Sequence, residues 1–276
     1  MNARLLFILL LFTIGALWYI IGYWRRKAAA FAAARLTEKS EERERYCRLA
    51  VMAGHREACR MFCLLHPERF DGHSPHKPFK LRGIRISFYG YYYPSRYNAL
   101  LNDEQRAFCH SIYQFKQGDI HGIEFFKTCM NALQLKKRPY HIMFMPCSNW
   151  IKYGQRFKRL DWYIGKHRQD LTSGLYDVDI CDARESLHEA KGGEKRILER
   201  NYLITGKIKG KEIIIIDDVL TTGQSVADYK EEIERCGGKV VAAIFYGKTL
   251  SMPSMLLVQI HVWGNHIAHI IERMTK

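Results

Sequence analysis

No Cys-x-x-Cys pair occurs anywhere in this chain, although it contains eight cysteines. Thiols scattered in this way give neither a paired-ligand zinc module nor a disulfide framework, and they read as the reduced cysteines of a cytosolic domain. Acid is also scarce: 28 Asp and Glu stand against 43 Lys and Arg, for a net charge of +15. Such a balance suits a partner of opposite sign, whether anionic lipid, nucleic acid or a phosphate-bearing substrate, and charge alone does not choose among them.

Charge is missing altogether from Leu5 to Trp24, an apolar run of about the length a bilayer requires. Trp18, Tyr19, Tyr23 and Trp24 gather at its far end like an interfacial aromatic belt, and Arg25, Arg26 and Lys27 follow at once. A cleaved signal peptide is the alternative, but the cationic cluster follows the run instead of preceding it, and no small-x-small site closes it. Residues 1–27 therefore read as a single transmembrane anchor meeting membrane lipid through residues 5–24. The excess of cations after the run puts the large carboxyl-terminal part in the cytoplasm.

The remaining chain can bury a domain-sized core and a second unit. Residues 28–135 read as a helical region. Ala28 to Arg48 is Ala-rich and then dense in Glu and Arg, as a solvated helix leaving a membrane would be. Ala50, Gly54 and Ala58, spaced by four, allow close helix approach, and Gly118 and Gly122 echo them between helical runs at Glu104–Gln117 and Ile120–Leu133. Together these resemble short tetratricopeptide-type repeats, with a generic helical linker fitting equally well. His55, Cys59, Cys63 and His66 line one helical face at spacings that either hold a metal or bury small apolar thiols, and the second fits better. Between Gly72 and Tyr97, Lys77, Lys80, Arg82, Arg85 and Arg96 alternate with five tyrosines, a pattern able to bind single-stranded nucleic acid. Pro75, Pro78 and Pro94 favour a connecting loop or hairpin instead.

The most informative stretch runs from Glu212 to Ser225. Four consecutive isoleucines, Ile213 to Ile216, are β-branched and apolar on both faces, as in a buried parallel strand. Asp217 and Asp218 follow, then Thr221, Thr222, Gly223, Gln224 and Ser225, then a helical run from Val226 to Arg235. Strand, polar loop and helix start in this order place hydroxyls and backbone N–H groups where a phosphate is favoured. Gly223 suits the tight backbone.

This segment resembles the phosphoribosyl-pyrophosphate (PRPP) loop of type I phosphoribosyltransferases: an apolar strand, two acids, two variable residues, Thr-Thr-Gly, any residue, then Thr or Ser. The resemblance implies an α/β fold, a mainly parallel sheet flanked by helices, over residues 138–276. It further implies that Asp217 and Asp218 hold the ribose hydroxyls, that Thr221 to Ser225 cradle the 5-phosphate, and that magnesium accompanies the pyrophosphate through substrate oxygens near the two acids.

Upstream, Tyr140 to Met145 reads as the first core strand, feeding a loop of Pro146, Cys147, Ser148 and Asn149. In the family that loop meets pyrophosphate, which makes Cys147 and Ser148 candidates. Tyr153, Gly154, Gln155, Arg156 and Phe157 are similar to the helix start of the ComF-like branch, and Arg156 is a candidate phosphate contact. Leu175 to Asp182 alternates like a partly exposed strand. The interval after it corresponds to the family's hood, with Gly192 and Gly193 as hinge and His188, Lys191 and Lys195 facing pyrophosphate. After the central motif, Lys239 to Tyr246 reads as a further strand, and Leu256 to Ile271 as a closing strand and helix.

The activity implied is transfer of a 5-phosphoribosyl group to a nucleobase or amine acceptor. Enzymes of the family that salvage 6-oxopurines carry an acid immediately before Thr-Gly, and here Thr221 stands there, which disfavours that acceptor. Two rivals stay open: a non-catalytic PRPP or nucleotide sensor, and a ComF-like DNA uptake or processing factor, the latter weakened by the missing Cys-x-x-Cys module. Oligomerisation is also open.

Overall fold

A computed structural model describes residues 3–120, 122–180 and 201–275, and these divide into two compact units. One comprises residues 1–72, 97–101 and 251–276; the other comprises residues 73–96 and 102–250.

The larger unit is built on a six-stranded sheet in the order β1-β2-β8-β7-β3-β4. Its strands are β1 (Phe79–Leu81), β2 (Ile84–Tyr92), β3 (Tyr140–Phe144), β4 (Leu171–Ser173), β7 (Glu212–Leu220) and β8 (Lys239–Thr249). All neighbours pair in parallel except the β1–β2 hairpin. Parallel neighbours need crossovers, supplied by α7 (Trp150–His167) between β3 and β4 and by α8 (Gln224–Arg235) between β7 and β8. Helices α5 (Asp103–Gln117) and α6 (Ile123–Leu133) connect β2 to β3 and pack on the sheet. The result is an α/β fold with a mainly parallel sheet flanked by helices. Ile213 to Ile216 on β7 and Ile142 to Phe144 on β3 are fully shielded, as strands covered on both faces must be. A separate two-stranded sheet joins β5 (Val178–Ile180) to β6 (Tyr202–Ile204).

The sheet begins well before residue 138. Ile84, Ile86, Ser87 and Phe88 are buried and Arg85 is exposed, and the basic, tyrosine-rich stretch is a hairpin whose longer strand pairs with β8. The expected strand at Leu175–Asp182 narrows to β5, outside the main sheet.

The smaller unit packs α1 (Ala3–Leu36), α2 (Ser40–Met52), α3 (Arg56–Leu65), α4 (Pro67–Asp71) and α9 (Met255–Met274) around Phe31, Ala50, Val51, Met61, Phe62 and Val258. Ala50 and Ala58 are fully buried, which is what lets α2 and α3 approach. Gly54 between them has a φ of 77°, a left-handed value that favours glycine. Cys59 and Cys63 belong to this core, and His55 caps α3 by accepting the Ala58 N–H at 3.3 Å. Among the described residues, no group of three or more His, Cys, Asp or Glu is placed to hold a metal. The expected strand at the start of Leu256–Ile271 is absent, because Ser254 accepts the Leu257 N–H at 3.4 Å and starts a helix there. In α1, the apolar stretch from Ile8 onward is exposed and long enough to cross a membrane.

Candidate active site

β7 does not stop at the acids. It pairs with β8 through Leu220, so Asp217 and Asp218 are set within the strand, where ladder hydrogen bonds fix their backbone. Their first partners are local: Asp217 Oδ1 accepts the Asp218 N–H at 2.8 Å, and Asp218 Oδ1 accepts the Val219 N–H at 2.5 Å. The remaining partners come from two helices. Arg156 Nη1 lies 2.6 Å from Asp218 Oδ2 and 3.8 Å from Asp217 Oδ1. Lys116 Nζ, at the end of α5, lies 3.4 Å from Asp218 Oδ2.

Each cation is positioned by its neighbour in sequence. Phe115 and Phe157 lie in the core with ring centroids 6.0 Å apart in an edge-to-face pair. Packing these two rings sets α5 against α7 and directs Lys116 and Arg156 to the same carboxylate. Gly118, just past the end of α5, allows this approach: a Cβ there would sit 2.5 Å from the Gln155 carbonyl oxygen. Arg156, expected from the sequence as a phosphate contact, is placed beside the two acids. Lys116 was not foreseen, because its partner lies about a hundred residues away and nothing in the local pattern marks it.

Two carboxylates and two cations so close leave the site nearly neutral, yet the acids differ. Burial, then the neighbouring charge of Asp218, pushes the Asp217 carboxyl up to about 7, with Arg156 opposing. Asp218 takes both close cation contacts. With Asp218 so engaged, the pair offers a divalent ion mainly Asp217. That fits magnesium held chiefly by substrate oxygens and water, its preferred setting.

Thr221, Thr222, Gln224 and Ser225 are exposed at the junction of β7 and α8. Gly223 caps α8 with a φ of 75°, and among the described residues no side chain of the N-cap accepts from the helix, which leaves its first N–H groups available. The Thr222 Oγ1 contact to the Gln224 N–H is long, at 3.4 Å. This is an N-terminus open to an anion.

The loop after β3 adjoins the acids. Cys147 is buried, and burial raises its thiol to about 12 within the fields of Arg156, Asp217, Asp218 and Lys116. Its thiol is therefore a protonated wall residue, and the loop's available polar groups are its backbone and Ser148. Asn201 donates its side-chain N–H to the carbonyls of Cys147 (3.2 Å) and Ser148 (3.4 Å), pinning that loop. Sequence reasoning passed over Asn201. The hood expectations at His188, Lys191, Gly192, Gly193 and Lys195 lie outside the described residues.

A second buried polar group stands on β3. His141 bridges Thr172 Oγ1 (2.7 Å, Nδ1) and Asp177 Oδ2 (2.6 Å, Nε2). Burial, aided by Lys211, lowers its pKa despite Asp177. These contacts tie β3 to β4 and to the turn before β5, a structural cross-brace.

A mainly parallel sheet with paired acids set within a central strand near its carboxyl end, followed by an open helix N-terminus, defines a phosphoribosyltransferase-type core. Accordingly, residues 169–249 match the family model of the phosphoribosyl transferase domain. Over 57 residues the chain is 42% identical to an orotate phosphoribosyltransferase of Sulfolobus acidocaldarius, a match covering 20% of this chain and 26% of that protein. The chain thus spans about a quarter of the length of this curated relative. The similarity to phosphoribosyltransferases therefore lies within the larger unit, over residues 169–249.

Proposed function

We propose that this chain is a membrane-anchored phosphoribosyltransferase that binds PRPP with magnesium and transfers the 5-phosphoribosyl group to a nucleobase or amine. The observation that carries the reading is the convergence of Arg156 and Lys116 on the Asp217–Asp218 pair, six residues before the open start of α8 at Gln224. In this reading Asp217 and Asp218 accept hydrogen bonds from the ribose hydroxyls, and Thr221 to Ser225 hold the 5-phosphate. Arg156 and the loop at Cys147–Ser148 face the pyrophosphate, and Lys191, outside the described residues, is a further candidate to bind it. The bond from the anomeric carbon to pyrophosphate breaks, and one to the acceptor nitrogen forms. Magnesium supplies charge neutralisation of the leaving pyrophosphate. The protein's own contribution is positioning and electrostatics.

The domain arrangement we favour is an anchor at residues 1–27, a small helical unit, and a catalytic unit facing the cytoplasm. Arg156 meeting the acids supports the ComF-like assignment of Tyr153 to Phe157. The acceptor is not a 6-oxopurine in this reading, since Thr221 occupies the position where such enzymes carry an acid.

The test is calorimetric titration of the full chain in nanodiscs with magnesium and PRPP, followed by pyrophosphate release across a panel of bases, including orotate, and amines. Turnover with one acceptor supports the transferase. Binding without turnover favours a sensor. Absence of PRPP binding, or binding unchanged by Asp218→Asn, defeats both. Nucleic-acid binding that falls steeply with salt would revive the uptake-factor reading.

A further inference from the structure

The helix α9 carries an apolar face that is exposed among the described residues. Leu256, Ile260, Trp263, Ile267, Ile270 and Met274 are all exposed, with Leu256 at 65% and Met274 at 80%. The opposite side holds Val258 and Val262, buried against the smaller unit's core, and α9 packs there on α2 and α3. At roughly 100° per residue the exposed apolar residues, with Leu257 and Ile271, span an arc of roughly 140°. A coiled-coil seam is narrower than this, whereas a helix lying on a bilayer uses a broad face. His266, Asn265, Glu272 and Arg273 keep the rest of the surface polar, so α9 is unsuited to spanning a membrane.

The position of α9 within its unit says what covers the face. Near its start it is pinned by Gln259, in the second turn, which donates to the Val51 carbonyl at 3.3 Å. The side chains of Gln259 and Lys27 both border Gly54, lying 3.0 and 3.9 Å from where a Cβ would stand. Beside them, Tyr23 donates its hydroxyl to the Ala53 carbonyl at 2.5 Å, and the Lys27 ammonium lies 4.1 Å from the Trp24 ring centroid. The start of α9 is therefore held at the level of Tyr23 to Lys27, where the aromatic and cationic end of the apolar α1 segment would meet headgroups. We propose that α9 lies in the plane of the bilayer surface, with Trp263 and its apolar neighbours buried at the headgroup–acyl boundary. This rests on α1 being the membrane anchor proposed above.

Depth-resolved quenching tests it on the full chain, reconstituted in phosphatidylcholine–phosphatidylglycerol vesicles. Two single-tryptophan variants are compared, one keeping Trp263 and one keeping Trp18, the other tryptophans replaced by phenylalanine. The expected result is strong quenching of Trp263 by lipids brominated near the headgroup, weak quenching by deep bromines, and at least threefold less acrylamide quenching than free tryptophan. The Trp18 variant is expected to respond to deep bromines. If Trp18 responds while Trp263 is open to acrylamide and blind to bromine, the anchor stands and the α9 inference falls. If neither responds to bromine, the anchor itself is wrong. Trp263 quenched most by bromines at the bilayer centre would make α9 a spanning helix and overturn the in-plane placement. Shielding from both quenchers, with chemical cross-linking into dimers, would assign the face to a second copy and overturn it too.

Discussion

Arg156 is the residue on which the site's electrostatics turn. Its guanidinium faces two adjacent carboxylates, and its Nε is buried without a hydrogen-bond partner among the described residues. Removing one member of a buried ion pair leaves an uncompensated charge, at a cost of roughly 3–5 kcal/mol. Arg156→Ala is expected to lose stability of that order in chemical denaturation, and to bind magnesium–PRPP more weakly in calorimetry. Asp217 makes a separate prediction. Its folded carboxyl is raised to about 7, well above the ordinary carboxylate value of 3.8. A group that binds its proton more tightly when folded adds stability at low pH, and that contribution is lost as pH rises from about 4 through about 7. Asp217→Asn removes this slope. The variant is expected to melt several degrees above the wild type at pH 8, with the difference shrinking toward pH 4, as read by thermal unfolding at both. PRPP binding by the variant should fall at every pH, since the amide loses an acceptor oxygen. The acids themselves are legible in the sequence, because they abut an unbroken apolar strand. Lys116 and Asn201 are not, since each acts through a partner that only the tertiary fold brings near.

Among elements, the β7–α8 junction shows how a glycine serves two ends at once. Gly223 needs its φ of 75° to turn strand into helix, and a Cβ there would sit 2.6 Å from Leu81 Cδ2 on the β1–β2 hairpin. A left-handed residue other than glycine costs about 1–2 kcal/mol. Gly223→Ala is therefore expected to weaken PRPP binding and lower stability together. Adding Leu81→Ala should recover the steric part and leave the backbone part, so a double-mutant cycle in calorimetry separates the two. Gly118→Ala acts at longer range. Its Cβ would push on the backbone of α7 and move Lys116 away from Arg156, so PRPP affinity should fall although residue 118 touches no substrate. Elements also show where sequence patterns serve and where they mislead. β7 announces itself through four isoleucines. β2 carries an equally regular alternation from Ile84 to Phe88, but flanking prolines and tyrosines draw the eye toward a loop. The start of α9 reads as apolar strand or helix alike, and only the capping role of Ser254 decides it.

At the scale of the whole molecule, the chain places its candidate site in one unit and its exposed apolar helices in the other. That division was hidden in the sequence because the small unit is discontinuous: residues 251–276 return to the core begun by α1 to α3, and residues 79–92 join a sheet whose other strands begin at Tyr140. Each unit has its own apolar core, the smaller one around Phe62 and the larger around the β7 isoleucines. A ligand stabilises only the cooperative unit that binds it, by about 2.7 kcal/mol at a concentration a hundredfold above its Kd. Saturating magnesium–PRPP is therefore expected to slow amide exchange through β3, β7, α7 and α8, and to leave α2, α3 and α9 unchanged. Hydrogen exchange read by mass spectrometry on the nanodisc-bound chain checks this segment by segment. Equal protection of both sets would mean that the two cores unfold as one. The helical unit would then carry a signal of PRPP occupancy toward the membrane, which is the behaviour a sensor requires and a simple tether does not.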